Sequence, residues 1–183
     1  CSSTVELSKK GAKDGSYAGK FTYTLNASGT NESWTGVGRA LEVTDYSKDA
    51  EGNTTNAISM WVTPDGQGQK FVFQVVSGGF EFEAFLTDFM KGTEPQYVTI
   101  PFSAMKPKVS GKVFDPSDVS QMYFYCNSLI GTEPYEVTSS IYLDKIKAIK
   151  ADETKIADVK AGGYVVSDTQ LDGETDEERE EVK

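Results

Sequence analysis

In the stretch GFEFEAFL, Glu81 and Glu83 stand two residues apart, which on a β-strand puts both carboxyls on one face. Two carboxylates about 5 Å apart are the equipment of a glycosidase that retains configuration. The next same-face position is Phe85, so the row of acids stops at two. A solvated acidic edge, or acceptors for the hydroxyls of a bound sugar, are the other readings of the pair. The chain has no histidine, which removes the usual base near neutral pH, the usual triad member and the commonest zinc ligand.

A second group of residues is aromatic. QMYFYCNSL, at 121–129, has Tyr123, Phe124 and Tyr125 in succession. The period of two sorts Met122, Phe124 and Cys126 onto a core-like face and Tyr123, Tyr125 and Asn127 onto the other. In AISMWVTP, Ile58, Met60 and Val62 oppose Ser59 and Trp61; in KFVFQVV, Phe71, Phe73 and Val75 oppose Gln74. With these strands in one sheet, the outer face carries Trp61, Gln74, Tyr123, Tyr125 and Asn127, flat rings interleaved with amides. Rings with a polar rim suit a sugar, whose C–H face stacks on the aromatic while amides and carboxylates bond its hydroxyls. The competing reading makes the rings a second small core under the long loops, or shifts the phase by one residue so that Trp61 is core. Trp34, in ESWTGVG, is the next aromatic to consider on the ligand side.

The elements that must position these residues are short apolar runs bounded by turns, at 17–25, 37–44, 57–63, 69–76, 80–87, 96–102, 120–127 and 135–149. Eight such strands and no convincing helix give an all-β sandwich. TPDGQGQK has the chemistry of a tight connection, so 57–63 and 69–76 are expected to form a hairpin. GTEPQYVT (92–99) and GTEPYEVT (131–138) match at six of eight positions and read as two loops with the same turn-to-strand task. With 183 residues, 10 Phe and 9 Tyr, the chain suffices for one core. No apolar run approaches the roughly 18 residues of a membrane span.

The net charge of −10 disfavours nucleic acid, whose backbone needs a basic surface. Much of that charge is C-terminal: residues 151–183 hold 11 acidic against 4 basic residues. We expect the folded domain to span 1–150 and 151–183 to be an acidic extension or linker towards a neighbouring domain, with GGYVVSD as one short extra strand. Cys126 packs as a small hydrophobe. Cys1, in CSS, reads either as a lipidated cysteine left by signal cleavage or as an arbitrary starting point.

WTGVGRAL, ISMWVTPDGQGQKFVFQV, FEFEAFL, EPQYVTIPFSAM, FDPSDVSQMYFYCNSL and SIYLDKIKAI follow the order found in β-jelly-roll carbohydrate-binding modules. The chain resembles the family 11-like and mannan-binding family 27-like modules attached to bacterial cellulases, licheninases and mannanases. The resemblance spans roughly 16–149. It implies two antiparallel sheets with a glycan cleft on the concave one, lined by Tyr125 and Trp61, and extracellular placement beside a catalytic domain in the same polypeptide. It also implies one structural calcium, with Asp144 in YLDKIK and Glu6 as oxygen donors. The chain departs from the pattern in having Tyr125 where many relatives have tryptophan, and in an opening strand that looks short or missing before Ser16. Jelly-roll β-glucanases commonly carry a third acid, which Phe85 replaces.

The expected function is therefore a non-catalytic module that binds β-1,4-linked plant cell-wall polysaccharide, β-mannan or glucomannan ahead of β-glucan. Its ligand residues are Trp61, Tyr125, Tyr123, Gln74, Asn127, Trp34, Glu83 and Glu81. The alternatives are a jelly-roll hydrolase using Glu81 and Glu83, and a surface adhesin or glycan-binding lipoprotein.

Overall fold

The computed structural model describes residues 1–167 apart from 14, 43 and 132; the acidic stretch from Asp172 onward lies outside the described residues. Eleven strands are present among them: β1 (Ser2–Ser8), β2 (Ala18–Ala27), β3 (Trp34–Ala40), β4 (Ala57–Thr63), β5 (Lys70–Ser77), β6 (Phe80–Phe85), β7 (Gln96–Pro101), β8 (Lys106–Pro107), β9 (Val119–Asn127), β10 (Tyr135–Ile149) and β11 (Val165–Ser167). They form two antiparallel sheets, ordered β1-β2-β10-β4-β7-β11 and β3-β9-β5-β6-β8. All eight expected strands occur. The opening strand is present after all, as β1, paired along its length with β2. No helix among the described residues is long and apolar enough to cross a membrane.

The core lies where the two alternating patterns meet. Phe21, Leu25, Met60, Val62, Ile141 and Leu143 from one sheet face Phe71, Phe73, Val75, Phe82, Ala84, Phe124 and Cys126 from the other. Phe124 lies 5.7 Å from Phe71 at an interplanar angle of 15°, and 5.1 Å from Phe73. Each such side chain contributes about 1.5–3 kcal/mol on burial. Cys126 is fully buried here, and that desolvation pushes its thiol well above the usual range.

The expected hairpin between 57–63 and 69–76 does not form. β4 belongs to the six-stranded sheet and β5 to the five-stranded one, so TPDGQGQK carries the chain between sheets. Its Asp65 accepts a 2.5 Å hydrogen bond from the buried Tyr23 hydroxyl, and its Gln69 one of 2.8 Å from Tyr135. These anchors give the connection a tertiary role that turn chemistry alone does not reveal. The tight hairpin is β5–β6 instead, closed by Gly78 and Gly79 at φ +56° and +80°, which suits a two-residue turn with both central residues left-handed.

Chain beyond Lys150 packs on the sandwich. Helix α1 (Glu153–Ile156) is capped by Asp152, which accepts from the Thr154 N–H. β11 pairs with β7. Ala151 and Ile156 are buried with Ala57, Tyr97 and Ile149 on the outer face of the six-stranded sheet, and Trp61 and Val165 pack against them. The expected domain edge at Lys150 thus runs through packed structure, because a few well-spaced apolar residues suffice to dock an otherwise acidic segment.

Candidate functional site

The outer face of the five-stranded sheet is set by register. β9 pairs with β3 and β5 so that Tyr125 stands between Gly36 and Val72, Tyr123 between Gly38 and Gln74, and Asn127 between Trp34 and Lys70. β6 continues two of these rows with Phe85 beside Val72 and Glu83 beside Gln74. The tyrosine pair needs the glycines. A Cβ built on Gly38 would fall inside the Tyr123 ring, and one on Gly36 against Cδ1 of Tyr125. The rings therefore occupy space that β3 leaves empty, lying near-parallel at 13° with centroids 5.9 Å apart.

Trp34 is 60% exposed and meets Tyr125 edge-on, at 5.6 Å and 70°. Together they border a cleft of about 250 Å³ that crosses the sheet towards Glu83, Phe85 and Lys108. Val72 and Gln74, only 4% and 2% exposed, make its floor. At the Trp34 end, Glu32 accepts from Asn127 Nδ2 at 2.7 Å and Lys70 Nζ at 3.0 Å. Partial burial works against the Glu32 carboxylate, but the bonds from Lys70 and Asn127 outweigh it and hold the group below its usual range. Asn127 Oδ1 is left without a hydrogen-bond partner among the described residues. At the opposite end Lys108 Nζ lies 2.8 Å from Glu81 and 3.7 Å from Glu83. Its ammonium is held above the usual lysine range by the Glu81 hydrogen bond, against the opposing effect of burial. Lys70 and Lys106 approach the Phe85 ring at 5.9 and 5.6 Å. Desolvation by burial raises the Tyr125 phenol above its usual range, against the opposing effect of its contact with Gln74.

Of the expected ligand residues, Trp34, Gln74, Glu83, Tyr125 and Asn127 line this cleft. Glu81 reaches it through Lys108, and Tyr123 stands beside it. Trp61 does not belong to it. Following the sheet assignment of β4, Trp61 lies on the outer face of the other sheet, 5.4 Å from Tyr97, with Lys13 Nζ 5.1 Å above its ring. Trp61→Ala should cost roughly 1–3 kcal/mol of stability in a urea titration and leave glycan affinity unchanged. Lost affinity at unchanged stability would put the ligand on the six-stranded sheet.

The calcium donors do not fit an ion that takes 6–8 oxygens. Asp144 accepts from the backbone N–H groups of Lys13 and Lys145. Glu6 pairs with Lys20 at 3.1 Å, two strands across the sheet from Tyr142 and not beside Asp144. No group of three or more acidic, Cys or His side chains gathers to hold a metal among the described residues.

Two residues at the ends of the cleft, Lys108 and Glu32, carry no signal in the sequence. Lys108 follows the two-residue β8 and obeys no strand period, and Glu32 precedes β3 in a loop. Gly36 and Gly38 do carry one: a G-x-G at the strand period leaves one face of a strand bare.

Neither a protein-family model nor a curated protein matches the chain. Solved structures do. The family 11 carbohydrate-binding module of a cellulosomal cellulase of Clostridium thermocellum superposes with a TM-score of 0.55 at 16% identity, over 81% of this chain and 83% of its own. A family 11 module from the same organism, in complex with a β-1,3-1,4-mixed-linked tetrasaccharide, gives 0.52 at 15% identity, over 81% and 84%. The family 30 module of a second cellulosomal cellulase of that organism gives 0.52 at 15%, over 81% and 83%. The chain has the fold of these modules. At such identity the likeness is one of architecture, so the chemistry of the cleft is read from this chain's own side chains.

Proposed function

We propose that the chain is a non-catalytic carbohydrate-binding module. Its cleft takes a β-1,4-linked plant cell-wall glycan, β-mannan or glucomannan ahead of β-glucan. The observation that carries this reading is the cleft across the five-stranded sheet, with aromatic faces at Trp34, Tyr125 and Phe85 set among oriented amide, carboxylate and ammonium groups. Sugars present the matching surface, apolar C–H faces edged by hydroxyls, and a pocket that offers both kinds of partner fixes ring and orientation together. Architecture shared with modules of cellulosomal cellulases supports the same reading. The module acts outside the cell and targets an appended glycoside hydrolase. Binding the polymer makes the enzyme's next encounter effectively intramolecular.

Hydrolysis by Glu81 and Glu83 is disfavoured by Lys108. A retaining pair must leave the scissile bond between its carboxyls, and here an ammonium sits against both. Native affinity gels with galactomannan, glucomannan, mixed-linked β-glucan, xyloglucan and xylan test the proposal. Retardation in at least one β-1,4-linked gel, with no reducing sugar released, is expected. Release abolished by Glu81→Gln or Glu83→Gln would establish an enzyme, and free migration in every gel would remove the binding reading.

A further inference from the structure

The cleft runs obliquely over the strands, from Trp34 on β3 past Tyr125 and Val72 to Glu83 and Lys108. Tyr123 is not part of its lining. It lies to one side, one same-face step along β9 from Tyr125, with its ring 13° from parallel and 5.9 Å away. Two features fix it there: the missing side chain of Gly38, and the Tyr123 hydroxyl's 2.7 Å hydrogen bond to Gln121 Oε1. The flank beyond it is open in the sense that β3 presents only Gly36, Gly38 and Ala40 opposite Tyr125, Tyr123 and Gln121. No β3 side chain larger than a methyl group stands there.

This aromatic surface has two directions. A linear glycan following the cleft stacks on Tyr125 and leaves Tyr123 unused, whereas one running along β9 covers both tyrosines and forfeits the Phe85 and Lys108 end. A main chain bearing a single-sugar substituent on the unit over Tyr125 meets both surfaces at once. We infer that Tyr123, seated on Gly38, is a side subsite for a pendant sugar, so that the preferred ligand is a side-chain-substituted β-glycan. The inference rests on the carbohydrate-binding reading above. It adds a specificity-determining residue, because the main-chain contacts are complete without Tyr123.

The test is calorimetric titration with matched tetrasaccharides: cellotetraose with and without an α-1,6-linked xylose, and mannotetraose with and without an α-1,6-linked galactose. On the backbone that wild type binds, the substituted form is expected to bind roughly tenfold tighter, the effect of one additional stacked ring. Tyr123→Ala should erase that margin, bringing the bare and substituted forms to equal affinity; Tyr125→Ala should weaken both forms. Gly38→Ala, which drives a methyl into the Tyr123 ring, should reproduce the Tyr123→Ala pattern, and thermal melting identifies either variant as folded. Equal wild-type affinity for bare and substituted forms, or equal weakening of both by Tyr123→Ala, would overturn the side subsite while leaving the module reading intact. Failure of wild type to bind any of the four would remove the module reading itself.

Discussion

Phe124→Ala is expected to cost about 3–5 kcal/mol of folding free energy, a large part of the roughly 5–15 kcal/mol that holds a domain together. Tyr125→Ala, one residue along, should change stability by no more than about 1 kcal/mol while lowering glycan affinity by roughly fivefold to a hundredfold, the range for truncating an aromatic anchor. The contrast follows from strand geometry. Phe124 points inward between Phe71 and Phe73, so its removal leaves a cavity whose walls are held by both sheets. Tyr125 points outward against Gly36 and Trp34, so its removal exposes backbone and opens the cleft. Urea titrations give the first quantity and calorimetric titration the second. A Tyr125→Ala variant that unfolds easily, paired with a stable Phe124→Ala variant that no longer binds, would mean that the two faces are exchanged.

The period of two was enough to sort each strand into faces, which is why Phe124 and Cys126 were legible as core and Tyr123 and Tyr125 as surface. Periodicity is silent about which sheet a strand joins. The Pro-Asp-Gly turn after Thr63 suits a hairpin as well as a crossover. What decides between them is that Asp65 and Gln69 are bound to Tyr23 and Tyr135, partners distant in sequence. That one choice carried Trp61 to the wrong sheet, while the same reasoning placed Gln74 and Asn127 correctly. The polar half of the cleft was harder to see. Glu81 and Glu83 stood out as a pair, but the lysine that bridges them comes from a loop beyond a two-residue strand, and no local pattern points from 108 back to 81. Towards the C-terminus the average charge concealed a sparse apolar series, Ala151, Ile156 and Val165, whose members reach one patch only after a helical turn and a strand have been formed.

That series makes truncation the most informative change to the chain. A protein ending at Lys150 should be less stable by about 3 kcal/mol, which at roughly 2–4 °C per kcal/mol for this size lowers Tm by about 6–12 °C. The loss is the balance of two terms. Burial of Ile156 is worth about 1.5–3 kcal/mol, an upper bound because the unfolded chain already hides part of that surface, and the half-buried Tyr164 and Val165 each add a smaller share. Against it stands the entropy of ordering the segment, which truncation returns. Removal also uncovers Tyr97 and Ile149, both buried in the intact protein. The effect should extend to the ligand. Gly162 O accepts the Phe85 N–H at 2.8 Å, and Gly162 N donates to Ala104 O at 2.6 Å, so the segment braces the strand that forms the far wall of the cleft. Glycan affinity should therefore fall along with Tm, measured against a protein ending at Ser167, which keeps every described contact. Differential scanning calorimetry and glycan titration on the two truncations decide the matter: full stability and full affinity at Lys150 would show that the segment rests on the sandwich without supporting it.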